Sequence, residues 1–88
     1  MIEVEMEKIL KAVANRRRLA ILKILYGKNE MSVGAIAKQI KISFRSTSKH
    51  LAILYSVGLL KKEQRSLSIF YRLDQKGTKI FSFVNSLK

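Results

Sequence analysis

Apolar residues recur along this chain at two different spacings, and the change from one to the other divides it into helices and strands. Ile2, Met6, Ile9, Leu10 and Val13 fall three or four apart, the spacing of one face of an α-helix over residues 2–13. Asn15 has an N-cap side chain and predicts a second helix over 16–26, with Leu19, Ile21, Leu22 and Leu25 inward and Gly27 as its stop. Ser32 predicts the cap of a third helix carrying Ile36, Ala37 and Ile40 inward, and Lys41 and Ile42 make the turn that follows. Ser43 caps a fourth helix that buries Thr47, Leu51 and Leu54, with Ala52 packed small or exposed, and Gly58 ends it. From Leu59 the period shifts toward two. Residues 59–63 and 68–73 alternate, with Leu60, Lys62, Ile69, Tyr71 and Leu73 on one side and Ser68, Phe70 and Arg72 on the other. The tip between them is read as Gln64-Arg65-Ser66, and Asp74 caps a last helix over 75–87 striped by Ile80, Phe81, Val84 and Leu87.

This order, α-α-α-α-β-β-α, predicts a mainly α fold with a small β-hairpin. Two short helices joined by a tight turn and followed at once by a hairpin are the layout of a winged helix-turn-helix, whose second helix enters the major groove of DNA. Eighty-eight residues make one domain, 1–88, with a modest core.

Charge sharpens this picture. The chain carries a formal +12, and the charge is unevenly placed. Residues 1–14 hold Glu3, Glu5 and Glu7 against Lys8 and Lys11, whereas residues 15–79 hold fifteen Lys or Arg against Glu30, Glu63 and Asp74, a net +12. A field of that strength over the two-helix unit favours a polyanion, here double-stranded DNA. There is no cysteine, so disulfides, thiolate metal ligands and cysteine nucleophiles are excluded together. No carboxylate pair, no nucleophile beside a base and no phosphate-binding glycine loop argues for an enzyme. No apolar run approaches the ~20 residues of a membrane span, and the acidic start has the wrong sign for a signal peptide. The expectation is a cytoplasmic protein, associated with the nucleoid through DNA, with no cofactor, no metal and no membrane partner.

The candidate contacts sit on and around the fourth helix. Arg45 and Lys49 lie four apart and share a face, Arg45 suited to guanine or phosphate and Lys49 to phosphate. Ser43 combines capping with a helix N-terminus that presents backbone N–H groups to phosphate, and Ser46 and Ser48 are small donors beside it. His50, the only histidine, reads as half-buried and hydrogen-bonded, in a structural or phosphate-edge role. Lys38 and Lys41 flank the turn, and Lys61, Lys62 and Arg65 lie on the hairpin, as phosphate contacts or as a solvated edge guarded by cations. Arg16-Arg17-Arg18 at a helix start opposes the helix dipole, which suggests a use other than helix stability: phosphate for Arg16 or Arg17, an internal partner for Arg18.

These segments resemble the ArsR-type winged-helix transcriptional regulators over nearly the whole chain. ANRRRLAIL (14–22) is similar to the family's second-helix opening, ISFRSTSKHL (42–51) to its reading-helix signature, and ILYSVGLLKKE (53–63) with IFYRLD (69–74) to the entry into and exit from its wing. The resemblance implies a homodimer built from residues 2–13 and 75–87, binding an inverted-repeat operator, most simply as a repressor. The helix faces agree: Ile2, Met6 and Ile9, with Phe81, Val84 and Leu87, offer more apolar surface than a minimal core needs. Four departures stand out. Phe44 replaces the family's Gln after the capping Ser and would meet a thymine methyl or pack. Thr47 replaces an apolar Val, and the wing tip lacks the usual Gly- and Arg-rich turn. The Cys pair or the Asp and His ligands of metal-sensing members have no counterpart at Met31-Ser32-Val33-Gly34 or on the last helix, which points to a non-metal-sensing member. Two other readings share the pattern: a winged-helix protein-interaction module, which needs a neutral fourth-helix face, and a non-specific architectural DNA-binding protein, which needs only the charge.

Overall fold

The computed structural model describes all residues, 1–88. Eight elements follow one another: α1 (Ile2–Val13), α2 (Arg16–Gly27), β1 (Met31–Ser32), α3 (Val33–Ile40), α4 (Phe44–Ser56), β2 (Leu60–Arg65), β3 (Ser68–Leu73) and α5 (Gln75–Asn85). The architecture is the mainly helical, winged one, with one strand the periodicity does not reveal. β1 is only two residues long, too short for any alternation to register. It joins the hairpin in an antiparallel sheet of order β1-β3-β2, pairing Met31 with Tyr71 and Ser32 with Phe70.

Local chemistry sets the boundaries. Asn15 Oδ1 accepts from the backbone N–H of Arg17 and Arg18, Ser32 Oγ from Ala35, Ser43 Oγ from Ser46, and Asp74 from Lys76, so four helices start on a side-chain cap. Gly58 (φ 81°) follows α4 in the left-handed region, as a C-terminal glycine should. Gly27 does not act this way: it is the last residue of α2, and the chain leaves through an extended Lys28. The hairpin is tighter than expected. Arg65 pairs with Ser68, so the tip is Ser66-Leu67 and not Gln64-Arg65-Ser66, with Ser66 at φ 56° in the first loop position, where a two-residue II′ turn needs a positive value. The last helix ends at Asn85, short of Leu87.

One core of thirteen residues holds the molecule together. Ile21, Leu22 and Leu25 of α2 and Leu51 and Leu54 of α4 meet Ile36, Leu59 and Tyr71 there. Ala12, Val13 and Phe81 bring α1 and α5 onto the same cluster. Thr47, where a Val would be apolar, is fully buried, and its hydroxyl donates to the Ser43 carbonyl at 2.9 Å. α5 approaches so closely that a Cβ at Gly77 would overlap the Leu59 carbonyl oxygen.

Candidate nucleic-acid interface

The interface grows from the turn between α3 and α4. Lys41 takes φ 62° and ψ 43°, left-handed values rare for a side chain other than Asn or Gly, and this folds α4 across α3 within three residues. Thr47, Leu51 and Leu54 then pin α4 to the core through one stripe. The opposite face is thereby fixed toward solvent. Arg45, Ser46 and Lys49 are exposed on it, Ser48 is half-buried at its edge, and Phe44 is 61% exposed. Ser43 is exposed but already employed, since its hydroxyl accepts from Ser46 N–H at 3.0 Å. Lys38 and Lys41 flank the turn, also exposed. None of Lys38, Lys41, Arg45 and Lys49 pairs with a carboxylate, although four ion pairs form elsewhere. Unpaired cations on a helix pinned by its other face are free to meet an incoming anion at no cost in broken contacts.

His50 is half-buried, and its Nδ1 lies 3.2 Å from Arg18 Nη1. A guanidinium can only donate, so Nδ1 accepts and the ring proton belongs on Nε2. Burial and then the positive charges of Arg18 and Arg17 hold this histidine below its ordinary pKa, which keeps it neutral. Arg18 goes on to donate through Nε to the Ala12 carbonyl and, at 3.5 Å, through Nη2 to that of Lys11. It therefore closes the C-terminal end of α1 while fixing a tautomer on α4. Arg16 and Arg17 stay exposed beside it without a carboxylate partner.

The hairpin behaves differently. Lys61 lies 3.9 Å from Asp74, and the Lys62 ammonium sits 4.4 Å from the centre of the Tyr55 ring. Arg65 is tied to Glu30, lies 3.7 Å from Glu63, and rests its guanidinium 4.1 Å from the centre of the Phe70 ring. Lys61, Lys62 and Arg65 thus have partners within the chain, while Arg72 on β3 stays exposed without a carboxylate. What reaches furthest is Leu67, 98% exposed, a residue that periodicity passes over because it belongs to neither strand. Between this tip and the start of α4 lies a cleft of about 440 Å³, walled by Phe44, Ser48, Val33 and Ile69.

The outer apolar residues separate into two sets. Phe81 is a core residue at 7% exposure, its ring tilted against that of Tyr26 with centroids 5.1 Å apart, and Ile9 and Val84 are half-buried. Ile2, Met6 and Leu87 remain exposed, joined by Leu10 and by Phe83, which the stripe on the last helix misses because it falls one position off. No group of three His, Cys, Asp or Glu side chains converges anywhere, and no helix is long and apolar enough to cross a membrane.

A helix-turn-helix domain family matches residues 13–63, more than half of the chain, from the end of α1 into β2. The transcriptional activator HlyU of Vibrio cholerae is 39% identical over 82 residues, spanning 85% of this chain and 75% of that protein. The chain belongs to the ArsR family of winged helix-turn-helix regulators. The structure of reduced HlyU superposes with a TM-score of 0.84 at 32% identity, covering 97% of this chain and 90% of HlyU. The homodimeric winged helix-turn-helix DNA-binding domain of Mb0332 from Mycobacterium bovis, described as a possible ArsR-family regulator, gives 0.89 at 29% identity, covering 98% and 80%. The chain is thus a transcriptional regulator with a DNA-binding fold, and its relatives are regulators and not enzymes.

Proposed function

We propose that two copies of this ArsR-family chain bind an inverted-repeat operator and lay α4 into the major groove of each half-site. The reading rests on one observation above the rest: Arg45 and Lys49, unpaired and exposed, share the face of α4 that the core leaves outward. That face is far from neutral, which disfavours a protein-docking module. Ser46, Ser48 and Phe44 stand beside it as base-edge or backbone contacts, with Lys38, Lys41 and the Nε2–H of His50 on phosphate. Lys61, Lys62 and Arg65 have internal partners to leave before they serve the same purpose. The homodimer is supported by the exposed apolar residues of α1 and α5 and by the homodimeric Mb0332 domain. An occupied operator excludes other proteins from that stretch of DNA. The direct outcome is repression, whereas the relative HlyU is by its name an activator.

The test is binding to a duplex selected from a random pool, measured against salt. With roughly eight phosphates neutralised per dimer, log K should fall with log[salt] at a slope near −7. Arg45→Ala should relax sequence preference, with a loss of about 1–3 kcal/mol confined to the selected site, while Lys49→Ala should weaken selected and random duplexes alike. Salt-insensitive binding contradicts the interface. Equal losses for both variants on both duplexes remove Arg45 from base reading and favour a non-specific architectural role.

A further inference from the structure

Beside the helix-turn-helix, α2 and the end of α3 enclose an open groove of about 730 Å³. Its rim carries Arg16, Arg17, Lys23 and Lys28, its floor Ala20 and Ile24, and no carboxylate lines it. The four cations extend from the first residue of α2 to the residue just beyond its last, about 18 Å at 1.5 Å per residue. None forms an ion pair: the carboxylates that do pair, Glu7, Glu30, Glu63 and Asp74, serve Lys11, Lys61 and Arg65. The arrangement also works against the helix, because two of the cations occupy the first turn, at the positive end of the dipole. An unfavourable cluster of like charge along a groove is complementary to an extended polyanion.

The groove's position says which one. Gln39 and Ile40 line it and run directly into Lys41 and the α3–α4 turn. At its other margin Arg17 adjoins Arg18, whose Nη1 lies 3.2 Å from His50 Nδ1 on α4. The groove therefore begins where the contacts proposed for the reading helix leave off. We infer that α2 carries a second phosphate-binding strip, which takes the backbone of the same duplex where it continues outside the half-site. This rests on the DNA-binding reading above and lengthens its footprint.

The experiment compares two duplexes, one cut to the selected inverted repeat and one extended by about one helical turn, ~34 Å, on each side. The wild-type chain is set against Arg16→Gln/Lys23→Gln/Lys28→Gln, exposed positions whose loss should leave the circular dichroism spectrum and the oligomeric state unchanged. Arg17 stays in place because it adjoins Arg18, the partner of His50. The wild type should bind the longer duplex more tightly and with a steeper salt slope. The variant should lose that difference, its slope on the long duplex shrinking by about 0.9 for each phosphate contact removed, with the short duplex unaffected. Equal weakening on both duplexes would show only a general steering field and overturn the strip. So would a wild type indifferent to flanking DNA, or a polyglutamate peptide that competes for the groove while the flanks add nothing. A wild type that prefers no duplex over random DNA fails the regulator reading itself, an outcome separate from these.

Discussion

Two single side chains, Lys41 and His50, carry tests of the proposed interface. Lys41 holds left-handed backbone angles at which a Cβ costs about 1–2 kcal/mol. Glycine would occupy the position without strain, and the proposed phosphate contact gives the lysine a use there. Lys41→Gly should raise stability by about 0.5–1 kcal/mol in urea unfolding and flatten the salt dependence of DNA binding by about one phosphate per subunit. An unchanged slope would leave Lys41 as strain alone. His50 makes the second case. Its folded-state pKa lies below the value in the unfolded chain, so as pH falls the unfolded state takes up the proton first. Stability contributed by the neutral ring is present above about pH 6.5 and drains away below it. The thermal midpoint should therefore drop between pH 7.5 and 5.5 in the wild type and change less in His50→Gln, whose amide oxygen can still accept from Arg18. An identical drop in both would assign the effect elsewhere.

At the scale of elements, the same substitution should have opposite signs in two helices. Gly34 lies in α3 with nothing within 4 Å of an added Cβ, and Gly34→Ala should stabilise by about 0.5 kcal/mol through the entropy of the unfolded chain. Gly77 faces the Leu59 backbone, which cannot step aside without moving the start of the hairpin. Gly77→Ala should lose about 1–3 kcal/mol, a fall of several degrees in thermal midpoint for a domain of this size. If Gly77→Ala is neutral, α5 is not seated against Leu59 as described. The difference marks what a sequence can disclose. All five helices are legible because each has a repeating stripe, and four of them also a side-chain cap, at Asn15, Ser32, Ser43 and Asp74. β1 and the true hairpin tip are not, because two residues carry no period and because the turn is set by the pairing of Arg65 with Ser68, a partner choice made in three dimensions. Gly77 looks like any helix-weakening glycine until Leu59 is placed beside it.

For the molecule as a whole, partnership is a matter of surface. The protomer is 37 Å along its longest axis, so a twofold pair can set two reading helices one DNA turn, ~34 Å, apart. Ile2, Met6 and Leu10 form an exposed row on α1, with Phe83 and Leu87 exposed on α5. Leu10→Glu places a charge in that row without touching the core, and should yield monomers by light scattering. Affinity for the two-half-site duplex should fall by two or more orders of magnitude, with single half-site binding retained. A dimer that survives would move the interface elsewhere. The shared, exposed face of Arg45 and Lys49 was legible because the two are four apart. The engagement of Arg65 with Glu30, 35 positions away, was not, and neither was the burial of Phe81, which depends on Tyr26 of α2.

Ser32 belongs to two devices at once: its side chain opens α3, while its backbone is matched to Phe70 in the hairpin. The first helix of the reading pair and the wing are stitched at a single seam. A wing transplanted from a relative would therefore need to bring residues 31–32 with it, and a hairpin exchanged alone should arrive at the wrong tilt to the DNA however well its own two strands match.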